Sequence, residues 1–548
     1  MLRELPSNVC MPWLNGDGFV QSNPWFEEDD VRTRAYRMAR AVHPSKESTV
    51  NEMASPSASS ARSAAYRFGE LPIAGNWRSG RAKSVLKVNN PYNGEPLAEM
   101  ADASIEDVDE AFRGATAAQR EWAEMLPVMR ADVMRRVAQI MEARHEEIVS
   151  WLIRESGSAR MKAEMEWGTV RSIVLECSTL PSRVEGRILA GDFPGKENRV
   201  YRKPVGVVTV ISPWNWPMHL TARSAIPALA LGNAVVIKPA NETPITGGLI
   251  FAKLFEEAGL PPGVLSVIFG PNETIGDAID THPLSRVLSF TGSTAVGRHI
   301  GQLAIASGRV KKTMLELGGN GPLVVLDDAD LERAVHIATV SKFLHQGQIC
   351  IIANRIVVMD KLHDAFVERY VERVRALKVG DPNDPNTVIG PVISRKQLDK
   401  LVGMVALANA SGARQVLGSA PQGLTLPPHI FDGVTSSMPL AQNEIFGPIA
   451  PVIRAKDESD ALRIANDVES GLSSAVITGN VDRGTSFAHQ IDAGMTHIND
   501  VTAIDMPTMP FGGEKNSGIG RFGTQGIIDA FTTEHWISLQ HGPNLFPF

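Results

Sequence analysis

Cysteine is scarce in this chain: 548 residues contain three, Cys10, Cys177 and Cys350. So few, so scattered, exclude a disulfide framework and a multi-thiolate zinc site. They fit a reducing compartment, so the cytoplasm is the expected location. The 13 histidines include no ligand spacing of the HExxH kind, and no metal centre is expected. Also missing is any uninterrupted apolar run of about 18 residues, the length needed to span a bilayer. The richest runs, at 205–212 and 228–237, have the length of core elements, so no membrane partner is expected. No dense Lys/Arg stripe is present and the formal net charge is −7, which argues against nucleic acid as a partner. The opening residues lack a charged start followed by an apolar core, so no secretory leader is expected.

What is present is a long, ordinary globular composition, with 43% apolar and 21% charged residues. At 548 residues the chain exceeds the size at which one hydrophobic core keeps growing, so two or more domains are expected. Residues 1–65 stand apart: an acidic cluster at 27–30, scattered arginines at 32–40 and a Ser/Ala stretch at 55–65. This composition reads as a poorly ordered extension, with a docking arm as the alternative.

From Tyr66 onward the pattern becomes periodic. Apolar residues at three- and four-residue spacing predict helices over 105–122 and 128–155. Between 183 and 203 an alternating run around a Gly/Pro turn predicts a hairpin that leaves the surrounding pattern. Short β-branched segments at 205–211, 234–238, 264–269 and 286–290 then alternate with helical stretches at 219–231, 245–259, 274–280 and 295–306. That rhythm predicts βαβ crossovers and an α/β fold with a parallel sheet, which binds ligands at the carboxyl ends of its strands. A second series from 322 to about 499 predicts a second α/β domain. The segment 531–540 has strand character and could pair with another subunit.

Three features carry chemistry. FTGSTAVG at 290–297 follows a strand and opens a helix, where Gly292 and Gly297 would let backbone N–H groups approach a pyrophosphate. A tight loop is the alternative. Cys350 lies in FLHQGQICI just after a predicted helix; a lone cysteine is more often core packing than a nucleophile. Glu316 lies in LELGGNGP at an apparent strand end, exposed to a cleft or simply a loop charge.

These features belong to a collinear set: PWNWP (213–217), GNAVVIKPA (232–240), FTGST (290–294), LELGGN (315–320), GQIC (347–350), EIFGP (444–448) and PFGGEKNSGIGR (510–521). In that set the chain resembles the aldehyde dehydrogenase superfamily over roughly 66–540. The resemblance implies a Rossmann-like parallel-sheet cofactor domain from 66–182 and 205–317, and a second α/β, catalytic domain over 318–524. It also implies a small oligomerisation hairpin from 183–204 and 525–548, and a homodimer or homotetramer. By the same resemblance Cys350 is the nucleophile, Glu316 the general base and Asn215 the side-chain amide of the oxyanion site. Those types suit the reaction: a thiolate adds to the carbonyl, amide donors hold the oxyanion, and a carboxylate activates the water that cleaves the thioester. Trp214, Lys238, Asn241, Gly292, Ser293, Gly297, Glu444 and Phe446 fall on cofactor positions. Many NAD-preferring members carry glutamate where this chain has Asn241, and an amide does not repel a 2′-phosphate by charge. NAD or NADP is therefore expected, with NAD favoured.

Within the superfamily, the stretch PWNWPMHLTARSAIPALALGN resembles the benzaldehyde and vanillin dehydrogenase branch, in which Arg-Ser stands at the position of Arg223 and Ser224. Trp216, Leu220, Ile349, Ile351 and Phe511 flank the catalytic positions and, with Arg223, form the expected substrate pocket, a slot for a flat ring. Each of them could equally be core packing. Met506 replaces the acidic residue expected near the pocket mouth, and His345 is expected to pack or bond locally. Three rivals remain: a CoA-acylating enzyme, an aliphatic aldehyde dehydrogenase and a catalytically silent dinucleotide-binding scaffold. Retention of Glu316 argues against the first, and retention of Cys350, Glu316 and Asn215 together against the last.

Overall fold

The computed structural model describes residues 64–543; the extension expected over 1–65, and Cys10 with it, lies almost wholly outside them. After two short strand pairs come four helices, Ile105–Glu124, Pro127–Ala143, His145–Ser156 and Arg160–Cys177. The first starts at Ser104, whose hydroxyl and the Asp107 carboxylate form a reciprocal capping box. The periodicity over 128–155 does not make one helix. It breaks at Arg144, whose backbone leaves the helical region (φ −107°, ψ 20°). The Arg144 guanidinium bonds Glu147 and Glu257 and lies 3.7 Å over the Tyr66 ring, so contacts remote in sequence set the break.

The alternating segments form a six-stranded sheet. In chain order Val207–Ile211, Ala234–Lys238, Leu265–Val267, Ser285–Thr291 and Lys312–Glu316 are all parallel. In space the first and fourth lie side by side, so the connections run outward in both directions from that pair. Such a switch point opens a crevice at the carboxyl ends of the two strands. The sixth strand, Gly518–Ile519, is antiparallel to Lys312–Glu316 and comes from the far end of the chain. The tract assigned to the catalytic domain over 318–524 therefore returns one strand to the cofactor sheet.

The second sheet has seven strands, with Gly321–Val325 and Ala353–Met359 at its centre. All neighbours are parallel except Arg414–Leu417 against His429–Asp432. A third, antiparallel sheet joins Arg187–Leu189, Lys196–Pro204 and Thr532–Gln540. The terminal strand thus pairs within its own chain, over nine residue pairs from Thr532↔Pro204 to Gln540↔Lys196, rather than needing another subunit. Residues 525–531 belong instead to a helix, Thr524–Phe531, that packs on Pro217–Ala230.

Lys342 is a charge placed inside the second domain. It sits near the end of the helix Leu331–Phe343, fully buried, and its ammonium has no hydrogen-bonding partner. Burial pulls its pKa down to about 7, opposed by the Glu444 carboxylate. An unfolded lysine titrates near ~10.4. Between those values the unfolded chain binds more protons than the folded one, so stability rises with pH across that window. Lys342→Met is expected to stabilise the fold at pH 6 by on the order of 3 kcal/mol, with the gain shrinking toward pH 10. Chemical denaturation of both proteins across that range checks this; a gain independent of pH would contradict it.

Candidate active site

The site is assembled at the carboxyl ends of the first sheet. Strand Val207–Ile211 runs into Pro213, Trp214 and Asn215, strand Ser285–Thr291 into Gly292 and Ser293, and strand Lys312–Glu316 ends on Glu316 itself. Ser293, which lines the crevice, caps the helix Thr294–Ala306 by accepting from the Val296 N–H.

Cys350 arrives from the other domain on a contorted loop. After Phe343 three residues in succession take left-handed backbone angles, His345 (φ 51°), Gln346 (φ 54°) and Gly347 (φ 74°). At Gly347 a Cβ would come within 2.3 Å of the Gly447 carbonyl oxygen, so only glycine fits. Two adjacent non-glycine residues in this region store strain, as loops that aim a reactive group commonly do.

Two cavities meet at the thiol. A cleft of about 200 Å³ is lined by Trp214, Gly292, Ser293, Glu316, Glu444 and Phe446, among others. On the other side lies a largely apolar cavity of about 340 Å³, walled by Trp216, Ile349, Ile351, Phe511, Met165 and Ile504 with further side chains. Cys350, Asn215 and Leu220 line both.

Asn215 is buried, and its Nδ2 donates one hydrogen to the Gln348 carbonyl at 2.8 Å. Its second N–H remains available. Glu316 is buried too, with Oε2 2.6 Å from Arg223 Nη2 and Oε1 unpartnered. This carboxylate lines the cleft and is held there by a buried ion pair. Arg223 also donates to Thr291 Oγ1 at 3.0 Å and lies between Phe511 and Phe522, 4.7 and 4.3 Å from their ring centres. It lines the apolar cavity with Nε and Nη1 unbonded. Burial pushes the Cys350 thiol well above its ordinary pKa, the neighbouring Glu316 and Glu444 carboxylates add to this, and Arg223 opposes it. At neutral pH the cysteine therefore rests as a thiol and needs a base.

The expected cofactor residues divide. Trp214 and Phe446 meet edge-to-face at 5.4 Å within the cleft. Phe446 has a left-handed backbone (φ 57°) and its carbonyl accepts from Gln397 Nε2 at 2.8 Å. Glu444 Oε1 accepts from the Gly319 N–H at 3.0 Å, and burial pushes its carboxyl up to about 7. Lys238 is buried at the end of its strand; burial lowers its pKa, while Asp280, Glu242 and Glu273 counteract. Asn241 donates to the Gly270 carbonyl at 3.1 Å and leaves Oδ1 buried and unpartnered, an acceptor suited to a ribose hydroxyl. Gly297 is different. It lines a groove outside the cleft, and a Cβ there would strike Leu317 at 2.2 Å. Its smallness lets the helix Thr294–Ala306 pack close against Leu317.

Several cavity residues escaped the sequence reading. His219 Nε2 lies 3.1 Å from Asp505 Oδ2, and Asp505 lies 3.9 Å from Arg223 Nη1, all three lining the apolar cavity. The acidic residue missed at Met506 is thus supplied one position earlier. His345 lines neither cavity; it is buried, and burial with the nearby Lys162 charge holds its imidazole neutral. His145, Glu146 and Glu164 converge at the surface, where Arg160 Nη1 lies 3.4 Å from both carboxylates, an ion-pair network. Among the described residues no helix is long and apolar enough to cross a membrane.

The model of the aldehyde dehydrogenase family matches residues 77–537. The chain is 49% identical to a vanillin dehydrogenase of Corynebacterium glutamicum, covering 85% of this chain and 97% of that one. It is 44% identical to a benzaldehyde dehydrogenase of Bacillus subtilis, covering 88% of this chain and all of its relative. The crystal structure of an NAD-dependent benzaldehyde dehydrogenase from C. glutamicum superposes with a TM-score of 0.81 at 46% identity, over 87% of this chain and 98% of that one. The chain belongs to the aldehyde dehydrogenase family. It is an oxidoreductase acting on aldehydes with a nicotinamide dinucleotide.

The electrostatics of the thiol are open to test. Replacing Glu316 by glutamine removes the base nearest the Cys350 thiol. Inactivation of Glu316→Gln by iodoacetamide at pH 7.5, without cofactor, is expected to be about 3- to 10-fold slower than that of the wild type. A faster rate would mean that Glu316 acts on the resting thiol mainly as a charge opposing the thiolate.

Proposed function

We propose that the chain oxidises an aromatic aldehyde of the benzaldehyde or vanillin type to its free carboxylic acid. The observation that carries this is the position of Cys350 between two different spaces, a cleft at a strand switch point that bears the Glu316 and Glu444 carboxylates and an apolar cavity with aromatic walls. The relatives named above support the aryl class. The aromatic ring lies among Trp216, Leu220, Ile349, Ile351 and Phe511, with its carbonyl carbon at the thiol.

Trp214, Gly292, Ser293, Glu444 and Phe446 in the cleft, with Lys238 and Asn241 beyond it, would hold NAD or NADP. When bound, the dinucleotide accepts a hydride at its nicotinamide ring. Glu316 Oε1 takes the Cys350 proton, and the thiolate adds to the carbonyl carbon. The free N–H of Asn215 and the Cys350 backbone N–H donate to the resulting oxyanion. Departure of hydride leaves a thioester on Cys350. Once its proton has passed to solvent, Glu316 deprotonates a water that attacks the thioester, and the thiolate leaves as the acid forms. Because Glu316 serves water, a free acid rather than an acyl-CoA is the product.

Self-association through the third sheet completes the reading. Ile188, Trp536 and Ile537 stand exposed there, as apolar area for a second copy in a homodimer or homotetramer. The scarcity of cysteine supports a cytoplasmic location.

A steady-state panel of benzaldehyde, vanillin and hexanal with each dinucleotide tests the aryl assignment: kcat/KM for an aryl aldehyde is expected to exceed that for hexanal by about 10-fold or more. Faster turnover of hexanal would reject it. For the cofactor, Asn241→Glu places a carboxylate against a 2′-phosphate, so kcat/KM for NADP is expected to fall about 10-fold or more while that for NAD changes little. Equal losses with both would remove Asn241 from the ribose site.

A further inference from the structure

One buried ion pair lies outside the chemistry derived so far. Lys162 and Glu166 stand one turn apart on the helix Arg160–Cys177, and both are fully buried. Burying two charges costs more desolvation than their attraction returns unless every remaining donor and acceptor is satisfied. Here each one is. The Lys162 ammonium has three hydrogens and three partners: the Glu166 carboxylate, Ser158 Oγ at 2.9 Å and the Asn215 carbonyl oxygen at 2.9 Å. Its charge also lies 4.7 Å over the Trp216 ring. The other Glu166 oxygen accepts the backbone N–H groups of Met218 (2.8 Å) and His219 (3.0 Å). Those are orphan amides in the first turn of the helix Pro217–Ala230, where a carboxylate is favoured by the helix dipole.

The pair therefore grips, from behind, the five residues Asn215 to His219. Asn215 offers the amide for the oxyanion, Trp216 walls the cavity, and the helix that begins at Pro217 carries Arg223 to Glu316. The same helix that bears Lys162 and Glu166 sends Met165 and Thr169 into the cavity wall. A purely structural pair would serve equally well anywhere in the core; this one spends its third lysine hydrogen on the backbone of the oxyanion residue.

We propose that Lys162 and Glu166 are positioning residues for the oxyanion site: the ammonium fixes the Asn215 backbone, and so its side-chain N–H, at the carbonyl of the bound aldehyde. This rests on Asn215 being the oxyanion donor. Neither residue touches substrate. Both act through Asn215, and their loss changes the barrier to aldehyde addition more than it changes dinucleotide binding.

The experiment is a double-mutant cycle between Lys162→Met and Asn215→Ala, read as steady-state kcat/KM for benzaldehyde and KM for NAD. Asn215→Ala alone is expected to lower kcat/KM by about 100-fold or more. Lys162→Met alone is expected to lower it about 10- to 100-fold, with KM for NAD within about twofold of wild type. On the Asn215→Ala background the lysine substitution is expected to cost less than about threefold, since the amide it positions is gone. Lys162→Met/Glu166→Gln is measured beside it to guard against misfolding, because glutamine still accepts from Met218 and His219 while no unpaired charge remains. It is expected to show the same fall as Lys162→Met. The proposal is overturned if the paired variant keeps kcat/KM within about threefold of wild type, or if the losses from Lys162→Met and Asn215→Ala simply multiply. If Asn215→Ala itself costs little, the oxyanion assignment falls first and takes this inference with it.

Discussion

A carboxylate buried beside a thiol needs a countercharge, and Arg223 supplies it. The Arg223–Glu316 pair at 2.6 Å joins the helix Pro217–Ala230 to the end of the strand Lys312–Glu316, and the thiol of Cys350 is brought against it from the other domain. Without the guanidinium, Glu316 would be an unpaired charge in a nearly dry site, which proteins avoid by neutralising or rearranging the group. The two phenylalanine faces around Arg223 keep its plane in place and exclude water. Much of the site's geometry follows from that one contact, because it fixes the helix that also carries Leu220 and His219 into the apolar cavity.

The two domains divide the site between them. The first sheet brings a switch-point crevice, a helix N-terminus and the Glu316 carboxylate; the second brings the Cys350 thiol on a strained loop and the Glu444–Phe446 side of the cleft. Neither domain alone encloses a reaction space. The strain at His345 and Gln346 is held by packing on both sides, including the Gln346 Nε2 bond to the Pro391 carbonyl at 2.8 Å.

Much of this was legible in the sequence where a residue sits in a local pattern. The β-branched segments around Val207 and Ala234 are strands because they alternate with amphipathic stretches, and Glu316 sits at a strand end because glycines follow it. The residues that escaped have no such pattern. His219, Asp505 and Gln397 are isolated polar residues whose meaning comes from what faces them. Gly297 stands in a recognisable spacing, but that Leu317 fills the space beside it is a contact the spacing does not show. The break at Arg144 was invisible to periodicity, since the apolar spacing continues across it.

By itself the sequence determined the α/β class, the family and the order of the blocks that bear Asn215, Glu316 and Cys350, because strand and helix periodicity and collinear motifs are properties of neighbours along the chain. Only the tertiary structure decided that Arg223 neutralises Glu316, that Lys162 reaches the Asn215 carbonyl, and that the terminal strand closes a sheet on its own chain. These are pairings between side chains and strands tens to hundreds of residues apart. Coulombic attraction, hydrogen bonding and burial act through space, and a sequence orders its residues only along a line.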